Sequence, residues 1–254
     1  MSKYLLASDF DGTLCRWING GITQEDKDAV RRFRSAGNRF ALVTGRDYES
    51  AMEVLREQDF WDMDICFCMS GALCIDTAKN IIYDRRTKEG HVGEILQYFK
   101  ETGALYITIS IGKKNYNVDI GGMQLAMETI SFEQGCAMPS MTSCNVKYDT
   151  EEESMRRAQE LARLYGDIVN PLLNNTNVDV PPAGVDKAVA VEYAARMFDI
   201  PLQNVYAAGD NLNDLAMVEK FHGRAMEHGP AALRSAAEKT VGTICEIIED
   251  IAGF

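Results

Sequence analysis

Apolar positions along this chain fall into two alternating rhythms. Short unbroken runs, Tyr4-Leu5-Leu6-Ala7, Phe40-Ala41-Leu42-Val43 and Ile65-Cys66-Phe67-Cys68-Met69, read as strands buried on both faces. The first strand is predicted over 3–8, the second over Arg39–Val43. Between them Thr23 supplies a helix N-cap, Val30 and Phe33 an apolar stripe, and Gly37 a stop near Ala36. A second helix is predicted from 47 to about 57. Strand, helix, strand, helix, strand at this spacing predicts a parallel sheet joined by right-handed crossovers.

The middle of the chain changes pattern. Residues 104–111 and 115–120 alternate apolar and polar around Gly112-Lys113-Lys114, the signature of an antiparallel hairpin. Residues 151–165 read as a charged amphipathic helix with Leu161 and Leu164 as its core stripe, flanked by strands at 144–149 and 167–173. Asn174-Asn175-Thr176-Asn177 reads as a turn into a strand at 178–180, with the option of facing a crevice and reading sugar hydroxyls. After Pro181-Pro182 the first rhythm returns, with a helix over 185–197 and a strand over 205–208. The predicted fold class is α/β: a Rossmann-like parallel-sheet core from residues 1–82 and 181–254, with an α+β cap inserted across 83–180.

Composition narrows the function classes. The 254 residues are 46% hydrophobic and 25% charged, as in ordinary globular proteins. A net charge of −12 without a basic block argues against nucleic acid as a partner. It also means that any anionic substrate must be held by local groups or a metal. No segment approaches the roughly 20 apolar residues of a membrane span, and the N-terminus meets a charge too early for a secretory signal. No membrane partner is expected. None of the seven cysteines forms C-x-x-C, and Cys66 and Cys68 read as buried thiols, so the expected compartment is the reducing cytoplasm. Oligomeric state leaves no mark.

The candidate chemistry gathers at strand ends. S-D-F-D-G-T-L, residues 8–14, places Asp9 and Asp11 just past the first strand. Gly209-Asp210-Asn211-Leu212-Asn213-Asp214 follows another strand, Thr44-Gly45-Arg46 ends the one between, and Lys187 opens the helix after Gly184. The carboxyl ends of parallel strands line one crevice, so these segments are expected to converge. Each like-charge pair at about 4 Å costs on the order of 4 kcal/mol at an effective dielectric of about 20. Clustered carboxylates therefore call for a cation, and an oxygen-rich set without histidine suits Mg2+. One aspartate can then attack phosphorus to form an aspartyl-phosphate, while its neighbour two residues on handles protons.

Taken in order, these four segments resemble the motifs of the haloacid dehalogenase (HAD) superfamily. The D-x-D-G-T form and the large insert resemble its Cof-type sugar-phosphatase branch. The resemblance implies that Asp9 is the nucleophile and Asp11 the general acid/base. It implies a Mg2+ site drawn from Asp9, the Phe10 carbonyl, Asp11, Asp210 and Asp214, and phosphate binding by Thr44, Gly45, Lys187 and Asn213. The implied activity is Mg2+-dependent hydrolysis of a small phosphorylated metabolite such as a sugar phosphate. A sugar-phosphate phosphomutase and a catalytically silent metabolite-binding relative are the alternatives. Two departures stand out: Ser70-Gly71, where the family often has Asn-Gly, and Glu227-His228-Gly229, where relatives often read Asn-Ala. Neither is expected to touch the four motifs. Lys113, Lys114 and Lys147 read as solvated, and His91, His222 and His228 as too scattered for a metal site.

Overall fold

The computed structural model describes residues 3–252. From the N-terminus come β1 (Leu5–Ser8), β2 (Arg39–Val43), β3 (Ile65–Cys68), β4 (Leu73–Asp76) and β5 (Ile81–Asp84). A second set follows without interruption: β6 (Tyr106–Ile111), β7 (Lys114–Asp119), β8 (Thr129–Ser131), β9 (Ser143–Lys147), β10 (Leu172–Asn174) and β11 (Asn177–Val180). The chain then returns with β12 (Val205–Gly209), β13 (His222–Met226) and β14 (Lys239–Val241).

These strands form two sheets. The first has the order β14-β13-β12-β1-β2-β3-β4-β5, the second β10-β11-β9-β6-β7-β8. Six strands of the first sheet, β14 through β3, run parallel, and buried helices cover both faces. The predicted parallel core is therefore present, but it is extended by an antiparallel β3-β4-β5 meander. The physical reason is linker length. Met69–Gly71 and residues 77–80 are too short for a crossover, so the chain turns back on itself. The second sheet is antiparallel except for β7 with β8, and its helices pack on one face, as an α+β cap should.

Local signals placed most elements. Thr23 Oγ1 accepts the Asp26 N–H at the start of Gln24–Ser35, with Val30 and Phe33 buried. Asp47 caps Tyr48–Glu57, and Asp186 caps Lys187–Met197. The amphipathic helix occupies Glu151–Tyr165. Leu161 is buried as expected, but Leu164 is 52% exposed, one step outside the stripe set by Ala158 and Leu161. The strand expected at 167–173 is confined to Leu172–Asn174. Residues 166–168 are a turn fixed by the Ile168 and Val169 N–H groups on the Tyr165 carbonyl, and Val169 makes only an isolated bridge with Pro182. Asn175 and Thr176 form the tip of the β10–β11 hairpin, with Asn175 at φ 54°.

The topology locates a crevice. From β1 the chain winds one way through β2 and β3, and after the insertion it winds the other way from β12 to β14. β1 and β12 are adjacent and parallel, with Ser8 opposite Ala208, so the order reverses between them. Ligands bind beyond the carboxyl ends of the strands at such a switch point. The residues just past these two strand ends are Asp9 and Asp210.

Candidate active site

A cleft of about 610 Å³ opens where the two sheets face each other. Its first wall comes from loops at the strand ends of the eight-stranded sheet. Asp9, Asp11, Gly12, Thr44, Gly45, Arg46, Asp210, Asn211 and Asn213 all line it. Just beneath lies Lys187, almost completely buried, whose Nζ donates to Asp9 Oδ1 at 2.6 Å and to Asp214 Oδ1 at 2.5 Å.

Asp9, Asp210 and Asp214 each bring a carboxylate oxygen within 4.8 Å of the others. Local backbone geometry makes this approach feasible. Asp9 N–H bonds the Ala208 carbonyl, which ties the loop after β1 to β12. Gly12 has φ 83°, and a Cβ there would stand 2.2 Å from Asp210 Oδ2, so only glycine admits that side chain. A Cβ on Gly209 would likewise stand 2.3 Å from the Asp214 side chain. Asp214 Oδ2 accepts the N–H groups of Asp210 and Asn211, and Thr13 Oγ1 donates to Asp210 Oδ1.

The charges are out of balance. Burial and the Asp214 carboxylate push the pKa of Asp9 well above the usual carboxylate range, with Lys187 opposing. Burial and Asp214 raise Asp210 as well, against hydrogen bonds with Asp9 and Thr13. Burial works against the charge on Lys187, but Asp214 and Asp9 outweigh it and hold its pKa above the ordinary lysine value. One lysine thus faces three carboxylates. The donors are all oxygen, the deficit is one or two positive charges, and the cluster opens onto the cleft. A hard divalent cation of the Mg2+ kind fits this set.

The other residues singled out in the sequence divide. Thr44, Gly45 and Asn213 line the cleft beside the carboxylates. Asn213 Oδ1 is buried without a hydrogen-bond partner, an acceptor left open at the site. Asp11 stands outside the carboxylate group. Arg46 forks onto both its oxygens, at 2.6 and 2.8 Å, and Trp17 Nε1 donates to it at 2.9 Å. The Phe10 carbonyl accepts the Cys15 N–H at 2.7 Å. The two departures do touch the motifs after all. Ser70 N–H bonds the Thr44 carbonyl at 2.8 Å, and His228 Nε2 lies 3.6 Å from Asp210 Oδ2. Both follow from strand ends: Ser70 leaves β3 beside β2, and His228 leaves β13 beside β12.

The second wall was not foreseen residue by residue. Tyr106, Thr108 and Ser110 of β6, Asn115 of β7, Ser143 and Asn145 of β9, and Asn177 and Asp179 of β11 face the cleft. They are the alternate positions of strands whose other face carries Ile107, Ile109, Cys144, Val146, Val178 and Val180 into the core. The signal was present in the period-2 pattern, but which face meets the cleft depends on how the sheets dock. Asn174 and Asn175 also line the cleft, and Asn211 Nδ2 donates to both their side-chain oxygens, tying the β10–β11 hairpin to the loop after β12. Lys113, Lys114 and Lys147 are not among the lining residues.

Comparison with known proteins gives the family and the shared fold. A family model described as haloacid dehalogenase-like hydrolase matches residues 6–247, and the chain belongs to that family. It is 30% identical over 245 residues to the 5-amino-6-(5-phospho-D-ribitylamino)uracil phosphatase YcsE of Bacillus subtilis, covering 95% of this chain and 91% of that one. It is 26% identical to the stress response protein YhaX of the same organism over 86% of this chain and 81% of that protein. Among solved structures, SMU.1108c of Streptococcus mutans superposes with a TM-score of 0.86 over 100% of both chains at 16% identity. The HAD subclass IIB sugar phosphatase BT4131 superposes with a TM-score of 0.81 over 99% of both at 19% identity. These two likenesses establish the shared fold. No described helix is long and apolar enough to cross a membrane.

Proposed function

We propose that this protein is a Mg2+-dependent phosphatase that hydrolyses a small phosphomonoester of the sugar-phosphate class through an aspartyl-phosphate on Asp9. One observation carries the reading. Asp9, Asp210 and Asp214 converge around Lys187 at the floor of a cleft whose other wall is chiefly hydroxyls and amides. The 30% identical relative, named as a phosphatase of a phosphorylated ribitylamino-uracil, supports it.

Asp9, Asp210 and Asp214 would hold the metal, directly or through water. Of the two main-chain candidates in the loop, Phe10 already accepts the Cys15 N–H, which favours the Asp11 carbonyl. The metal, when bound, neutralises charge on the transferring phosphoryl group. The protein's own groups do the rest. Lys187 fixes one Asp9 oxygen and leaves the other to attack phosphorus. Thr44, Gly45 and Asn213 receive the phosphoryl oxygens. As the ester bond breaks, Asp11 gives its proton to the departing alcohol oxygen, then takes one from the water that cleaves the aspartyl-phosphate. Asp11 must first leave the Arg46 fork. Arg46 is the one basic residue lining the cleft among the described residues, and an arriving phosphate competes with Asp11 for it. The insert, which begins after β5 because residues 83 and 84 belong to that core strand, and runs to residue 180, acts as the cap that excludes bulk water and meets the leaving group.

A panel of sugar phosphates and p-nitrophenyl phosphate, assayed for free phosphate with Mg2+ and with chelator, tests the proposal. Mg2+-dependent phosphate release is expected. Interconversion of sugar-phosphate isomers without release would favour a mutase, and no turnover of any member would favour a binding protein.

A further inference from the structure

The geometry points to Asp179 as a specificity-determining residue that accepts hydrogen bonds from leaving-group hydroxyls and turns acidic leaving groups away. This rests on the phosphatase reading above. Asp179 lies mid-strand between Val178 and Val180, which belong to the apolar core of the second sheet, and it is 5% exposed. Its register partners extend it into a row: Asn145 opposite Asp179, Thr108 opposite Asn145, and Asn117 opposite Thr108. With neighbouring strands about 4.8 Å apart, that row runs roughly 14 Å across the cap. Its first three members line the cleft. At the near end the row meets the phosphate-binding loop, where a Cβ on Gly45 would stand 2.9 Å from Asp179 Oδ2.

The partners of Asp179 are neutral. Asn145 Nδ2 donates to one oxygen at 2.6 Å and Asn174 Nδ2 to the other at 3.2 Å. No ion pair reaches it among the described residues. A buried carboxylate held only by amides is costlier than a neutral group of the same shape. Packing therefore gives no reason for a charge here, since asparagine would fill the same space. A ligand gives one. Each oxygen keeps a free lone pair, and a hydroxyl donated to a carboxylate in a half-enclosed cleft bonds more strongly than one donated to an amide.

The rest of the wall agrees in sign. Thr108, Ser110, Asn115, Ser143 and Asn145 offer hydroxyls and amides, and no Lys, Arg or His lines the cleft from the second sheet. A carboxylate or second phosphate on the leaving group would meet the Asp179 charge with no cation on this wall to offset it, a repulsive element of the kind that sets specificity. The matching leaving group is uncharged and polyhydroxylated.

The test compares kcat/KM for ribitol 5-phosphate, an uncharged polyol ester, with that for 2-phosphoglycolate, whose leaving group is acidic. The wild type should favour ribitol 5-phosphate by at least ~10-fold, and Asp179→Asn should shrink that ratio by ~10-fold or more without lowering the thermal midpoint. Asn145→Ala should raise KM for ribitol 5-phosphate more than for 2-phosphoglycolate. A wild type without preference would overturn the assignment. So would an Asp179→Asn ratio equal to that of the wild type, or parallel loss of both substrates with a lowered midpoint. If neither substrate nor p-nitrophenyl phosphate is turned over with Mg2+, the phosphatase reading fails by itself. Calorimetric binding of ribitol 5-phosphate then decides on Asp179: weaker in the variant supports it, equal binding removes it.

Discussion

The wall of the cleft built by the eight-stranded sheet presents charge, whereas the wall built by the six-stranded sheet presents chiefly hydroxyls and amides. The first collects Asp9, Asp210, Asp214 and Lys187 from loops and a helix start far apart in sequence. The second collects Tyr106, Thr108, Ser110 and Asn145 from the faces of neighbouring strands. Loops at strand ends can aim several side chains at one point, which suits a reaction centre. A strand face offers a flat grid of side chains about 4.8 Å apart, which suits contact along an extended ligand. Chemistry and recognition are thus carried by different parts of the chain, and each can be disturbed separately.

The largest effect is expected on the charged wall. Asp9→Asn removes the attacking oxygen and should lower kcat for p-nitrophenyl phosphate by about 10³-fold or more, with circular dichroism unchanged. Lys187→Met follows. It leaves Asp9 and Asp214 buried without their cation, and breaking such a pair from one side costs about 3–5 kcal/mol. Denaturant titration should show a loss of that order, partly recovered by Mg2+, which binds the carboxylates left behind. On the neutral wall the expected change is smaller. Thr108→Val deletes one hydroxyl from the row beside Asn145 and should raise KM for a polyol phosphate by roughly 3- to 10-fold, more than it lowers kcat.

The smallest effect is a pH dependence. Asp9 and Asp210 titrate above the unfolded carboxylate value of 3.8 in the metal-free fold. Between 3.8 and those raised values the folded state holds more protons than the unfolded state, so this site's contribution to stability falls as pH rises. Mg2+ binds the deprotonated carboxylates, so its stabilising effect should grow over the same window. The gap between thermal midpoints with Mg2+ and with chelator should widen from acidic toward neutral pH. A constant gap would separate the metal from these two groups.

Much of the charged wall was legible in the sequence because it depends on short-range rules. The Asp9, Thr44 and Asp210 loops each follow a short apolar run, Lys187 follows a turn into a helix, and the carboxyl ends of parallel strands line one crevice. The Asp9, Thr44, Lys187 and Asp210 segments could be placed together on those grounds. The position of Asp11 could not, because its partner Arg46 competes for the side chain from another loop. Leu164 fell outside the core because the helix carries its stripe from Leu161 to Tyr165, one residue later. The neutral wall was legible as alternating strands but not as a site. Which of two faces meets the cleft is set by docking between sheets, and the Asp179 carboxylate within Val-Asp-Val was the one local clue.

The most direct measurement is peptide mapping by mass spectrometry after acid quench of an Asp11→Asn variant given Mg2+ and p-nitrophenyl phosphate, whose leaving group departs without a proton. With the proton carrier removed, the covalent intermediate should accumulate, and the phosphoryl group should be found on Asp9. A phosphoryl group on another residue, or catalytic turnover with none bound to the protein, would contradict the account.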